Sequence, residues 1–359
     1  MSLKQFATVA AFAAVATLTA TTAHAQWSVT NLNPAGLTQT VAYAAGGTQQ
    51  AGYAIVGDND HASLWSGTAA SWVDLNPAGS TGSRAYAISG GRQAGLAIVG
   101  AEVHASLWSG TAASWVDLNP AGSTGSAAYA ISGGQQAGYA VVGGAVRASL
   151  WSGTASSWVD LNPVGSTGSY AYAISGGQQA GWAGVGAQGH ASLWSGTAAS
   201  WVDLNPTGST ESMVYGASGV QQVGYASVGG FARASLWTGT AESWVDLNPA
   251  GSVLSFANAV NDGQQVGYAN VGGVERASLW IGTAGSWVDL HAFLPTGFLL
   301  SQATGISSDA DYTYVTGYGY NALTNRIEAL LWTQPIPTPG VAGLLGLGGV
   351  VALRRRRSK

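Results

Sequence analysis

Short apolar runs, each broken by glycine, proline or asparagine, recur along the chain from Trp27 to Trp332. Between positions 72 and 108 they read WVDL (Trp72 to Leu75), AYAIS (Ala85 to Ser89), RQAGLAIVG (Arg92 to Gly100) and ASLW (Ala105 to Trp108). None keeps apolar residues at i, i+3, i+4 and i+7 over three turns, so the pattern predicts short β-strands. The Asn-Pro, Gly-Ser and Gly-Gly pairs between them suit turns, because proline fixes φ and glycine tolerates positive φ.

The pattern repeats. Leu-Asn-Pro ends at Pro34, Pro77, Pro120, Pro163, Pro206 and Pro249, a step of 43 residues. Ser-Leu-Trp keeps that step from Trp65 to Trp280, and its last counterpart, Trp332, follows after 52 residues. Four strands in 43 residues match one blade of a propeller. Bulky residues face both ways, Trp72 to one side and Val73 and Leu75 to the other, so neighbouring units must cover both faces. The expected fold is all-β, a seven-bladed β-propeller of 43-residue four-stranded repeats, with a β-solenoid as the alternative because periodicity does not choose between ring and line. With AYAIS innermost, the last blade draws three strands from the C-terminal end and its outer strand from Trp27 to Leu32. In order and spacing the units resemble WD-repeat proteins, where ASLW and WVDL correspond to the last two strands; the WD dipeptide and its histidine are not reproduced.

The two ends differ from this body. Lys4, the apolar run Phe6 to Leu18 and Ala23-His24-Ala25 form the three parts of a secretory signal, with cleavage by signal peptidase expected between Ala25 and Gln26. At the other end a proline-rich breaker from Pro335 precedes an apolar segment, Val341 to Leu353, shorter than the roughly 20 residues of a stable span. Arg354, Arg355, Arg356 and Arg357 follow, and the positive-inside rule keeps them cytoplasmic. This order from Ile336 to Lys359 resembles the PEP-CTERM sorting signal of Gram-negative bacteria, with Pro337, Pro339 and Gly340 standing where that family has Pro-Glu-Pro. The resemblance implies processing by an exosortase and transient membrane insertion of the C-terminal segment. The chain thus divides into a signal peptide (1–25), a repeat domain (26–334) and a sorting signal (335–359).

Between the signals lie six basic and all 16 acidic residues, a formal charge of −10. Such a body repels phosphate backbones, so nucleic acid is not an expected partner. Without cysteine, stability rests on packing, and 15 tryptophans with 47% hydrophobic residues supply the material.

The stretch from His61 to Gly95, HASLWSGTAASWVDLNPAGSTGSRAYAISGGRQAG, resembles the HAF repeat of extracellular bacterial proteins. That family runs from His-Ala-x-Leu-Trp through Asp-Leu and Ala-x-x-Ile to Gly-Gln-x-x-Gly; here Ser63 replaces its phenylalanine, and Arg147, Arg233 and Arg276 replace the histidine. The resemblance implies an exported repeat protein and assigns no catalytic residue.

Few residues of the repeat suggest chemistry. Asp74 and its copies Asp117, Asp160, Asp203, Asp246 and Asp289 read as scaffold residues bonding turn amides, since each unit has one. His61, His104 and His190 fall in different units and read as exposed loop positions rather than a metal set. Asp58-Asn59-Asp60 and Asp309-Ala310-Asp311 lack the ligand pattern of an EF-hand loop, and no cofactor or metal site is assigned. No Ser-His-Asp elbow or phosphate loop appears, and the repeated tryptophans read as filling between blades.

The copies differ at two places. One precedes Ser-Leu-Trp and carries Asp58, Asp60, His61, Glu102, His104, Arg147, His190, Phe231, Arg233, Glu275 and Arg276. The other opens the AYAIS strand and carries Arg84, Tyr170 and Phe256. In a propeller of this strand order both lie on one rim, which we read as a contact face, with drift of exposed loops as the plainer explanation. The functional expectation is therefore a non-enzymatic protein exported to the periplasm, cell surface or extracellular matrix, binding polysaccharide or a surface protein through that rim. A secreted carbohydrate-active enzyme and a structural spacer stand as alternatives, the former requiring a carboxylate pair near the channel.

Overall fold

The structure, a computed structural model, describes residues 26–336. Seven four-stranded antiparallel sheets stand around an axis as the blades of a propeller. In blade 2 the strands Ser80–Ser89, Arg92–Val99, Glu102–Trp108 and Val116–Asp117 follow in chain order from the axis outward. Blade 7 takes Phe298–Ser308, Tyr312–Asn321 and Arg326–Pro335 from the C-terminal side and Ser28–Asn31 as its outer strand. Val29 pairs with Trp332 and Asn31 with Leu330, so the N-terminal strand latches the ring as the repeat order required. Closure excludes the solenoid.

The core lies between blades. Trp108 of blade 2 packs with Ala51, Ala62, Leu64 and Leu75 of blade 1 and with Ala85 and Ile88 of its own blade. The same grouping recurs at each seam, and at the closing one Trp65 meets Leu32, Ala329 and Leu331. Each of these tryptophans is wholly buried, a gross contribution of about 5 kcal/mol at ~25 cal/mol per Å2 over about 200 Å2. Alanines facing the rings let adjacent sheets approach.

The outer strand departs from expectation. Only Val73 and Asp74 join the ladder, extended by the Leu75 amide donating to the Ala62 carbonyl at 2.8 Å. Leu75 is buried, but Val73 is 38% exposed and Trp72 half-buried, its indole N–H donating to Ser63 Oγ at 2.9 Å. No further sheet covers an outermost strand, so two-sided burial holds for the inner strands alone.

Blades are tied by a repeated polar chain. The Ala105 amide of blade 2 donates to Ser126 Oγ of blade 3 at 2.9 Å, and that hydroxyl donates to Asn119 Oδ1 at 2.6 Å. Thr40 and Asn33 repeat this across the closing seam, where the Ala329 amide donates to Thr40 Oγ1. At the seam before blade 7 His291 stands in the place of asparagine, with Nδ1 2.8 Å from Ser301 Oγ.

Every inner strand carries a β-bulge at the same place: the register slips between Ala85 and Ala87 in blade 2 and between Ala128 and Ala130 in blade 3. The bulge pushes a carbonyl toward the second strand, where only glycine fits. A Cβ on Gly95 would lie 1.9 Å from the Arg84 oxygen, and one on Gly138 1.9 Å from that of Ala127.

Candidate site at the aromatic mouth of the channel

The residue inside each bulge turns toward the axis. In blades 1 to 5 it is Tyr43, Tyr86, Tyr129, Tyr172 and Tyr215; in blades 6 and 7 it is Asn258 and Thr304. Successive tyrosine rings stand 5.2, 5.2, 5.1 and 5.9 Å apart, forming an arc around most of the channel. Asn258 Nδ2 donates to the Ala303 carbonyl and Thr304 Oγ1 to that of Ala42, so the remaining sector is polar and already tied to backbone.

A second tier of rings comes from the residue after the invariant glycine in the second strand. Tyr53 lies 5.8 Å from Tyr43, Tyr139 5.8 Å from Tyr129, and Tyr225 5.9 Å from Tyr215. Trp182 holds this place in blade 4, and Gly189 makes room for it, since a Cβ there would lie 1.8 Å from the indole nitrogen. Tyr170 stacks on Tyr172 at 5.6 Å and an interplanar angle of 3°, and Phe256 bridges Tyr225 and Tyr268 at 5.0 and 5.1 Å. Edge-to-face and offset contacts of this kind hold such rings in place.

Burial raises the pKa values of Tyr43, Tyr86, Tyr129, Tyr172 and Tyr215, with neighbouring phenols adding to the shift at Tyr129 and Tyr172. Tyr225, Tyr268 and Tyr318 are pushed up to about 12, by burial first and by Glu211 or Glu275 second. The phenols are therefore neutral donors and acceptors at any physiological pH. A cavity of about 290 Å3 opens among Tyr43, Tyr86, Tyr172, Tyr215, Gln302 and Tyr318. Deeper in, alanine, isoleucine, valine and glycine line the channel, and no carboxylate is among them. The carboxylate pair that a glycosidase needs is not part of this wall.

The rim residues read from sequence do share one end of the propeller. Arg84 Nε donates to Asp60 Oδ2 at 2.6 Å across a seam, and Gln302 Nε2 donates to Glu275 Oε2 at 2.7 Å. Asp58 is exposed in the turn between second and third strands, and Glu102 and Phe231 are exposed at the first residue of their third strands. Six others turn inward. His61, His104 and His190 bond through Nδ1 to Asp74, Asp117 and Asp203 at 2.7 to 2.8 Å, and Arg147, Arg233 and Arg276 reach Asp160, Asp246 and Asp289 at 2.6 to 2.8 Å. Histidine and arginine alternate because each delivers one N–H to the same carboxylate oxygen. These histidine side chains are only 15 to 18% exposed, which corrects their reading as exposed loop positions. Oδ1 of Asp74 accepts from the Asn76 amide at 2.8 Å, the turn role its repetition implied.

A histidine held by an aspartate supplies two of the three members of a hydrolytic triad, but among the described residues no hydroxyl bonds to Nε2 of these three histidines. No group of three or more potential ligands gathers for a metal there either. Asp309 instead closes its own turn, accepting from the amides of Asp311 and Tyr312 and the Tyr314 hydroxyl, which hold its carboxyl below the usual range. Ala25 and the sorting-signal residues Pro337, Pro339, Gly340 and Arg354 to Arg357 lie outside the described residues; Gln26 is exposed. The tyrosine arc was missed from sequence, although its 43-residue step from Tyr43 to Tyr215 was there to find.

Neither a family model nor a curated protein matches the sequence. Solved structures match its fold. A puromycin hydrolase S511A mutant complexed with PGG aligns at a TM-score of 0.55 with 12% identity, over 80% of this chain and 53% of that one. The β-propeller domain of the Trilobed protease from Pyrococcus furiosus aligns at 0.56 with 10% identity, over 84% of this chain and 98% of that one, and is described as having an open velcro topology. Pyrococcus horikoshii acylaminoacyl peptidase aligns at 0.50 with 8% identity, over 84% of this chain and 53% of that one. The chain spans about half the length of the hydrolase and the peptidase it matches. At these identities the likeness establishes the fold; unlike the Trilobed propeller as described, this one is closed by its N-terminal strand. These three propellers belong to a hydrolase, a protease and a peptidase, which overturns the expectation of a non-enzymatic surface protein binding through one loop face.

Proposed function

We propose that this propeller is the substrate-recognition part of a peptide-hydrolysing system, taking short peptides at the tyrosine mouth of its axial channel. The observation that carries this reading is the unbroken arc from Tyr43 to Tyr215, with its second tier behind it, at one end of the channel. Neutral phenols offer donors and acceptors to peptide amides, their rings offer faces to apolar side chains, and the alanine and isoleucine wall below accepts such a side chain. Two proteins of like fold are by name a puromycin hydrolase and an acylaminoacyl peptidase, and their chains are about twice as long as the shared propeller. Bond cleavage is accordingly assigned outside the propeller, since its histidine–aspartate pairs bond no nucleophile.

The test is a fluorescence titration of the purified chain, read through Trp182, with blocked and unblocked tripeptides and with neutral oligosaccharides. Peptides should shift the emission, and the Tyr129→Ala, Tyr172→Ala double variant should lose the response while keeping its cooperative unfolding. A response to oligosaccharides and none to peptides overturns the reading. Turnover of a chromogenic peptide amide by the chain alone would place the chemistry in the propeller as well.

A further inference from the structure

The contacts at the mouth recur from seam to seam, and two seams carry an acid at the same position. Asp60 of blade 1 and Glu275 of blade 6 are equivalent residues of the 43-residue repeat. At the first seam Asp60 holds Arg84, whose guanidinium carbon lies 4.7 Å from the centroid of the Tyr53 ring. That is a cation placed on an aromatic face and neutralised by a carboxylate. At the seam between blades 6 and 7 Tyr268 takes the place of Tyr53, but Gln302 takes the place of Arg84. Gln302 donates to Glu275 through Nε2 and accepts from the Tyr318 hydroxyl through Oε1, both at 2.7 Å. Glu275 makes no ion pair among the described residues; the neighbouring Arg276 is committed to Asp289.

This seam thus has the carboxylate and the rings of a cation site without a cation of its own. Glu275 is half-buried, where Coulomb attraction is screened less than in bulk water, and Gln302 and Tyr318 both border the 290 Å3 cavity. The surplus negative charge of the body enriches cations around it. We propose, building on the mouth as a peptide site, that Glu275, Gln302, Tyr268 and Tyr318 bind a primary ammonium group of the peptide. Arg84 over Tyr53 is the internal precedent for that contact.

The experiment titrates the full chain with three probes: Ala-Ala-Phe amide with a free amino terminus, its N-acetyl twin, and N-acetyl-Ala-Lys-Phe amide. The free amine should bind roughly tenfold more tightly than the acetyl twin, the scale of a partly desolvated cation–π contact. Glu275→Gln should close that gap. Gln302→Arg should close it too, because it sets a guanidinium beside Glu275 as Arg84 stands beside Asp60. Tight binding of the lysine peptide would extend the site to any primary ammonium, and weak binding would restrict it to the amino terminus. Equal affinity for amine and acetyl forms, with both lost in Tyr215→Ala, would overturn the ammonium site and leave the mouth as a peptide site. Failure of all three probes to bind overturns both. Unchanged unfolding midpoints certify the variants as folded.

Discussion

Asn31 Nδ2 donates to Glu328 Oε2 at 2.9 Å, and this pair is the histidine–aspartate contact of the other blades with donor and acceptor exchanged. Glu328 occupies the repeat position of His61, and Asn31 that of Asp74. The acceptor thus sits on the C-terminal strand and the donor on the N-terminal one, within blade 7, the sheet that holds the two ends of the propeller together. Asn321 Nδ2 and Thr324 Oγ1 also donate to Glu328, which is 3% exposed and so fully supplied with partners.

Asn31→Asp should therefore open the latch. A carboxylate on the exposed residue 31 would face the buried carboxylate of Glu328, and because solvent screens one partner the expected loss is about 1 kcal/mol at pH 7. Much of it should return below about pH 4.5 as one carboxyl takes up a proton. Denaturant midpoints measured against pH check this; an unchanged midpoint at pH 7 would show that the N-terminal strand does not hold the ring.

Gly138→Ala should be costly although it adds one methyl group. Its Cβ would fall 1.9 Å from the Ala127 oxygen, against a backbone held by the bulge. A loss of about 3 kcal/mol is expected. Gly285→Ala, with nothing within 4 Å and no positive φ, is the control and should change stability by less than about 0.5 kcal/mol.

His104→Arg should be nearly neutral, since arginine makes the same contact in Arg147, Arg233 and Arg276. Asp117→Ala removes both the His104 contact and the bond to the Asn119 amide. The carboxylate is 39% exposed, so solvent limits the loss to about 1 kcal/mol. Thermal unfolding of the two variants side by side separates a replaceable donor from a required acceptor.

His291 makes stability depend on pH. Burial lowers its pKa, outweighing the opposing pull of Asp289. A histidine whose folded pKa lies below its unfolded value contributes stability above the unfolded pKa of about 6.5 and loses it as pH falls through the folded value. Protonation would also fix Nδ1 as a donor toward Ser301, whose hydroxyl counterparts at the other seams donate to asparagine. Unfolding midpoints should therefore fall between pH 7 and 5, and His291→Asn, which restores the residue of the other repeats, should flatten that slope.

The mouth tyrosines act in the opposite direction. Burial raises their pKa values, so their contribution is complete below about pH 10 and is lost as pH rises through the folded values. Phenolate absorbance at alkaline pH should appear together with unfolding, as one cooperative step. Early, gradual titration of most tyrosines would mean that the mouth is wetter than the packing indicates.

The 43-residue step, the four apolar runs in each unit and the odd strand Trp27 to Leu32 determined the blade, the number of blades and the way they close, because strand length and turn chemistry are local properties of a chain. Tertiary structure alone decided which side chains reach the axis. A bulge of one residue brings Tyr86 into the channel and makes Gly95 indispensable, and neither the slip nor the crowding it causes is written in the alternation of the strand. It also decided that His61 and its copies are spent on aspartates within their own blades, while Glu275 faces a neutral amide across a seam. Those contacts join residues 13 and 27 positions apart, and their partners become neighbours only once the sheets have folded and packed.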